Sequence, residues 1–190
     1  MATREEYARQ PLAQRLERLA RTPDDLAEAI HDQDDAALSR RPDGEHWSAK
    51  EIVCHIRDIE EQFILRFRTM LAMDEPKFLT LGDMPLDRAA WGLEVDDGLP
   101  LDPDRWAYER QYLRQDTTAA LAAFRVRREE TLVFLRRIAP AQLQRGSIHT
   151  TLGRLTIDDW VALIGAHDDK HLDQLRHTLP WIEDGQRTTR

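Results

Sequence analysis

The sequence predicts an all-α protein, a four-helix bundle with one long loop between the second and third bundle helices. Three observations predict it. Apolar residues recur at three- and four-residue spacing along most of the chain. Alternating runs rich in Val, Ile and Thr are scarce, the stretch from Ile148 to Leu155 being the one candidate strand region. Two of the longest periodic stretches open on a capping pattern, Ser48-Ala-Lys-Glu51 and Thr156-Ile-Asp-Asp159. With 190 residues, the chain suits one domain spanning 1–190.

The elements follow in order. Residues 5–21 carry Leu12, Leu16 and Leu19 at helical spacing. Thr22-Pro23-Asp24 then reads as an N-cap with proline at the first helical position, so a second stretch to His31 is either a new helix or a broken continuation. Residues 32–46 read as a connection. The next helix runs from Ser48 to about Met73 on the stripe Ile52, Ile56, Ile59, Phe63, Phe67 and Met70. Residues 74–105 hold four prolines and three glycines and read as a loop, with Trp91 packing it onto the body. One long helix is expected from Trp106 to Ile138, stopped by Pro140. A loop through Gly146 and Gly153 leads to the last helix, from Thr156 to about Thr178. The tail from Glu183 reads as frayed.

Composition excludes several functions. Net charge is −8 and the pI about 5.4, which disfavours a broad nucleic-acid face, since phosphate binding needs a concentrated basic patch. No apolar run is long enough to span a membrane. The start, MATREEYARQ, lacks the apolar stretch of a secretory signal, and a single cysteine allows no intrachain disulfide; both fit a cytoplasmic protein.

The histidines carry the chemistry. His167 and His171 stand four apart, so one helix face presents both imidazoles one turn apart. They lie on the core stripe Trp160, Ile164, His167, His171, Leu175, and His55 sits beside the stripe of its own helix. Two readings stay open on spacing alone: core histidines bonded to carbonyls or carboxylates, or ligands of one metal. The zincin motif fits poorly, because His167-Asp-Asp-Lys-His171 puts Asp168 where a glutamate base belongs. A di-iron bundle needs Glu three residues before its histidines, and none of the three has it.

The stretches Trp47 to Glu60, Phe124 to Arg128 and Gly153 to Leu175 together resemble the DinB-like family of metal-binding four-helix proteins, which includes the YfiT-type enzymes. The family pattern is one histidine early in the second bundle helix and His-x-x-x-His late in the last. The resemblance spans about residues 12–179. It implies a divalent metal, zinc or nickel, held by His55, His167 and His171 with open positions filled by water. It implies a small-molecule substrate and membership of a group of thiol-dependent S-transferases, using bacillithiol, mycothiol or glutathione, and metal-dependent hydrolases. The alternative is a non-enzymatic metal-binding stress-response or interaction protein. A homodimer is compatible with such bundles; nucleic acid and membrane are not expected partners.

Arg128 faces inward between Phe124 and Leu132. A buried arginine needs an acidic partner, Glu60 or Asp58, or else clamps a substrate carboxylate. Asp58 and Gln62 follow His55 by three and seven residues and are candidates to orient ligands or water. Arg128 and Asp58 are thus the catalytic candidates. Asp168 and Gln174 are weaker candidates to orient ligands or water, and read as solvated. Glu51 is accounted for by its capping box, Cys54 by packing, and Trp47, Trp160 and Trp181 by packing as well. Trp91 and Trp106 are candidates for the mouth of the pocket, and His149 is the remaining histidine whose loop can approach the site.

Overall fold

The structure, a computed structural model, describes residues 2–78 and 102–179. Seven α-helices occur among them: α1 Arg4–Ala8, α2 Leu12–Ala29, α3 Asp35–Ser39, α4 Ala49–Ala72, α5 Pro103–Glu109, α6 Thr117–Arg137 and α7 Ile157–Thr178. Three short strands, β1 Lys77–Phe78, β2 Gly146–His149 and β3 Gly153–Thr156, form one small sheet. The bundle is α2, α4, α6 and α7; α4 packs on α6 and α7, and α2 packs on those same two helices. Most of the expected loop, with Trp91, and the tail with Trp181 lie outside the described residues.

The caps that were legible set the helix starts. Ser48 Oγ accepts from Glu51 N, and Glu51 Oε2 accepts from Ser48 N at 2.9 Å. Thr156 and Asp159 do the same at the head of α7. Three boundaries differ from expectation. The first stretch breaks at Pro11, because the residue before a proline is pushed out of helical conformation. α2 then runs through Pro23 without a break, so Thr22 is not a cap. The helix expected from Trp106 is two helices. Gln111 turns left-handed at φ 51°, a 3₁₀ turn follows at Tyr112–Arg114, and Asp116 caps α6 by accepting from Ala119 N at 2.7 Å.

The expected loop through Gly146 and Gly153 is a hairpin. β2 pairs antiparallel with β3, and β1 pairs parallel with β2. Gly153 at φ +69° supplies the left-handed residue that a three-residue hairpin turn needs. The sheet bonds to the bundle through Trp160, whose indole N–H donates to Ser147 Oγ at 2.9 Å.

The core has two apolar halves. One holds Leu26, Ile52, Ile56, Phe124, Leu172 and Leu175; the other holds Leu19, Phe63, Phe67, Leu132, Trp160 and Ile164. On each bundle helix a polar residue separates them: Thr22 on α2, Glu60 on α4, Arg128 on α6, and His167 and Asp168 on α7. A polar layer therefore crosses the middle of the bundle.

Candidate metal centre

His55, from α4, meets His167 and His171, from α7, within this layer. One ring nitrogen from each lies within 4.8 Å of the others. Among the described residues no further His, Cys, Asp or Glu joins the group. The Nε2 atoms of His55 and His167 are 3.3 Å apart. Two imidazole nitrogens on one tetrahedral zinc, each at about 2.0–2.1 Å, stand roughly 3.3 Å apart, so the pair has a ligating separation.

A hydrogen bond between two imidazoles has a similar length, and the third ring decides between the readings. His171 Nδ1 pairs with Gln174 Oε1 at 2.9 Å, so it carries the proton and Nε2 is left with a lone pair. One shared proton between His55 and His167 leaves that lone pair facing theirs. A cation satisfies all three. Neither His55 Nδ1 nor His167 Nδ1, both buried, has the carbonyl or carboxylate bond that the packed-core reading requires.

Burial, and then the neighbouring rings His171 and His167, push the pKa of His55 well below the ordinary histidine value. Burial and His167 push that of His171 down to about 3. Both are neutral near pH 7, the protonation state in which an imidazole binds a metal. His167 keeps 23% of its side chain exposed, which leaves the group reachable. Trp47 closes another side, its ring 4.8 Å from His55 edge-on and stacked 6.5 Å from His171. Its indole N–H donates to Asp104 on α5 at 2.9 Å, so α5 borders the site. Trp47 was read as packing; nothing in its spacing from His55 signals ring contact. Trp106 packs beside the first apolar half and carries the Arg110 guanidinium over its ring.

The two catalytic candidates are both buried and held in ion pairs. Asp58 is buried and takes Arg57 Nε at 2.7 Å, Arg110 Nη1 at 2.6 Å, Tyr112 Oη at 2.9 Å and Arg127 Nη1 at 3.3 Å. Although burial raises it, the bonds from Arg57 and Arg110 hold its pKa below the usual range. It ties α4 to the end of α5 and to α6, and it is not one of the residues whose ligand atoms converge.

Arg128 is 1% exposed. Its Nη1 donates to Asp168 Oδ2 at 2.6 Å and Leu19 O at 3.0 Å, and its Nη2 to Glu60 Oε2 at 2.8 Å and Asp168 Oδ1 at 3.2 Å. The expected Glu60 partner is present and Asp58 is not. Both terminal nitrogens are spent on the protein, so no exposed donor is left for a substrate carboxylate. Asp168, read as solvated, is buried and also accepts from Thr22 Oγ1 at 2.7 Å. Against its burial, Arg128 holds its pKa well below the carboxylate range.

The remaining residues keep local roles. His149 Nδ1 accepts from the backbone N–H of Thr151 and Leu152 in the hairpin turn and stays out of the group. Cys54 is fully buried, and burial pushes its thiol up to about 11, so it is inert. Glu51 pairs with Arg41. Gln62 is half-buried. No helix among the described residues is long and apolar enough to cross a membrane.

Fold and site together define a four-helix protein with a candidate three-histidine metal centre. The chain belongs to the DinB superfamily, whose sequence pattern matches residues 18–175. It is similar to YuaE of Bacillus subtilis (strain 168), described as uncharacterized, at 26% identity over 160 residues, 78% of this chain and 87% of that one. Its fold is that of YfiT from Bacillus subtilis, with a TM-score of 0.72 at 18% identity, covering 94% of this chain and 88% of that one. YfiT is described as "a probable metal-dependent hydrolase with an unusual four-helix bundle topology".

Proposed function

We propose that the protein is a metal-dependent enzyme acting on a small molecule, with zinc or nickel held by His55, His167 and His171. The observation that supports it most is the convergence of three imidazole nitrogens, from buried His55 and His171 and half-buried His167, within 4.8 Å with no fourth described ligand. Three ligands and open positions make a catalytic pattern, whereas structural zinc sites are closed by four. Imidazole donors suit zinc or nickel.

When bound, such a metal supplies Lewis acidity and lowers the pKa of a water or a thiol to near neutrality. The chain supplies the rest. Gln174 fixes the tautomer and tilt of His171. Trp47 walls the site with an aromatic face and limits water on that side. The exposed edge of His167 is the approach for a substrate. The description of YfiT favours hydrolysis, with water as the nucleophile. A low-molecular-weight thiol in the same position would make the reaction an S-transfer.

The test is turnover by zinc- and nickel-loaded protein on two panels, activated esters and amides in one, and thiols with carbon electrophiles in the other. Turnover on either panel that His171→Ala and chelator both abolish is the expected result, and the panel that responds identifies the nucleophile. A metal-loaded protein inert on both would instead favour a non-enzymatic metal-binding protein.

A further inference from the structure

The buried charges beside the metal centre hold more than a salt bridge requires. Arg128, Asp168 and Glu60 sum to one formal negative charge, and Glu60 Oε1 is buried with no partner. A buried excess charge is costly unless something offsets it. Asp168 is also the next residue after His167. Its Oδ2 is occupied by Thr22 and Arg128, while its Oδ1 takes only the longer bond from Arg128, at 3.2 Å. That oxygen stands 3.9 Å from His167 Nδ1, which is buried and has no hydrogen bond. The separation exceeds a hydrogen bond by about 1 Å, within reach of a small rotation of the ring.

We propose that Asp168 is a positioning residue of the metal centre: it takes the Nδ1–H of His167 and so presents Nε2 to the metal, while Arg128 and Thr22 hold Asp168 in place. The inference rests on the metal reading above. Ligating histidines commonly donate their second ring nitrogen to a carboxylate, which fixes the tautomer and strengthens the ligand. The three rings are not equivalent here. His171 has a neutral amide, Gln174, and His55 Nδ1 has no partner. Among the described residues, His167 is the one of the three with a carboxylate oxygen within 4 Å of its Nδ1, and an anionic partner there favours a cation at Nε2. Arg128, read as either a salt-bridge partner or a clamp for a substrate carboxylate, acts through Asp168 instead.

The experiment is zinc affinity of the full chain, measured by competition with a chromogenic chelator, for wild type, Asp168→Asn, Thr22→Val and Arg15→Met. Arg15→Met is the control for mere destabilisation, because it breaks a different, partly buried pair between α2 and α7, Arg15 with Asp158 at 2.6 Å. Melting curves taken in chelator rank the stability loss of each variant. Asp168→Asn should keep one zinc but bind it about 10–100-fold more weakly. Thr22→Val should weaken it less, and Arg15→Met should melt earlier with unchanged affinity. Nitrogen-15 spectra of the zinc form should show a protected Nδ1 proton on His167, absent in Asp168→Asn. If Asp168→Asn fails to fold, Thr22→Val and the His167 proton decide. Unchanged affinity in the folded variants, or an exchanging Nδ1 proton in wild type, overturns the inference alone. A wild type that binds no zinc or nickel overturns the metal reading and this inference together.

Discussion

Pro23 sits inside α2 and has no amide hydrogen for the carbonyl four residues back, Leu19 O, which accepts from Arg128 Nη1 at 3.0 Å instead. The proline is tolerated because a side chain from another helix satisfies the group it leaves free. Arg128 thereby joins all four bundle helices, through Leu19 on α2, Glu60 on α4 and Asp168 on α7. Arg128→Met strips the counter-charge from two buried carboxylates and should cost about 3–5 kcal/mol of stability in urea melts. A loss under 1 kcal/mol would mean the network is not buried as described. Sequence gave the inward direction of Arg128 and its Glu60 partner. Asp168 was a weaker candidate, and its burial and its bond to Arg128 were not legible, because it stands beside Asp169 and Lys170 in a run that looks solvated. His149 offers a second check at this scale. Burial, with Arg66 nearby, pushes its pKa down to about 4, against an ordinary 6.5. Between those values the unfolded chain binds a proton that the folded one refuses. Its contribution to stability is therefore complete above pH 6.5 and lost as pH falls toward 4. His149→Asn keeps an acceptor for the turn and should shrink the difference in melting temperature between pH 7 and 4.5. An undiminished difference would place the acid sensitivity elsewhere.

At the scale of elements, the helix starts were legible where a side chain caps its own turn, as at Ser48 and Thr156. The break before α6 was missed because apolar spacing continues across residues 106–121. The deciding contact is distant: Tyr112 is turned fully inward, where its hydroxyl donates to Asp58. Asp116 was the local signal. Asp116→Ala should destabilise the protein by about 1 kcal/mol, read as an earlier thermal midpoint, because it removes the cap of a true helix start. A neutral effect would indicate a continuous helix instead. The hairpin was legible as one candidate strand region, Ile148 to Leu155, rather than as two paired strands, for a related reason. Two four-residue strands carry too little alternation to stand out, and they hold together by pairing with each other and by the Trp160 bond to Ser147.

For the whole molecule, the pattern is a polar layer between two apolar halves, holding the histidines and the Arg128 network side by side. The sequence showed the three histidines facing inward but not the layer, since that needs the register of four helices at once. A packed bundle gains little from such a layer unless a ligand occupies it, because each buried polar group must find a partner. A bound metal should therefore stabilise the fold, by about 2.7 kcal/mol at a hundredfold excess over the dissociation constant. The most direct test is elemental analysis of purified protein beside His55→Ala and His171→Ala. The account predicts about one zinc or nickel per chain in wild type, lost in both variants while helical content persists. No metal after supplementation, or an equal amount in the variants, would contradict it.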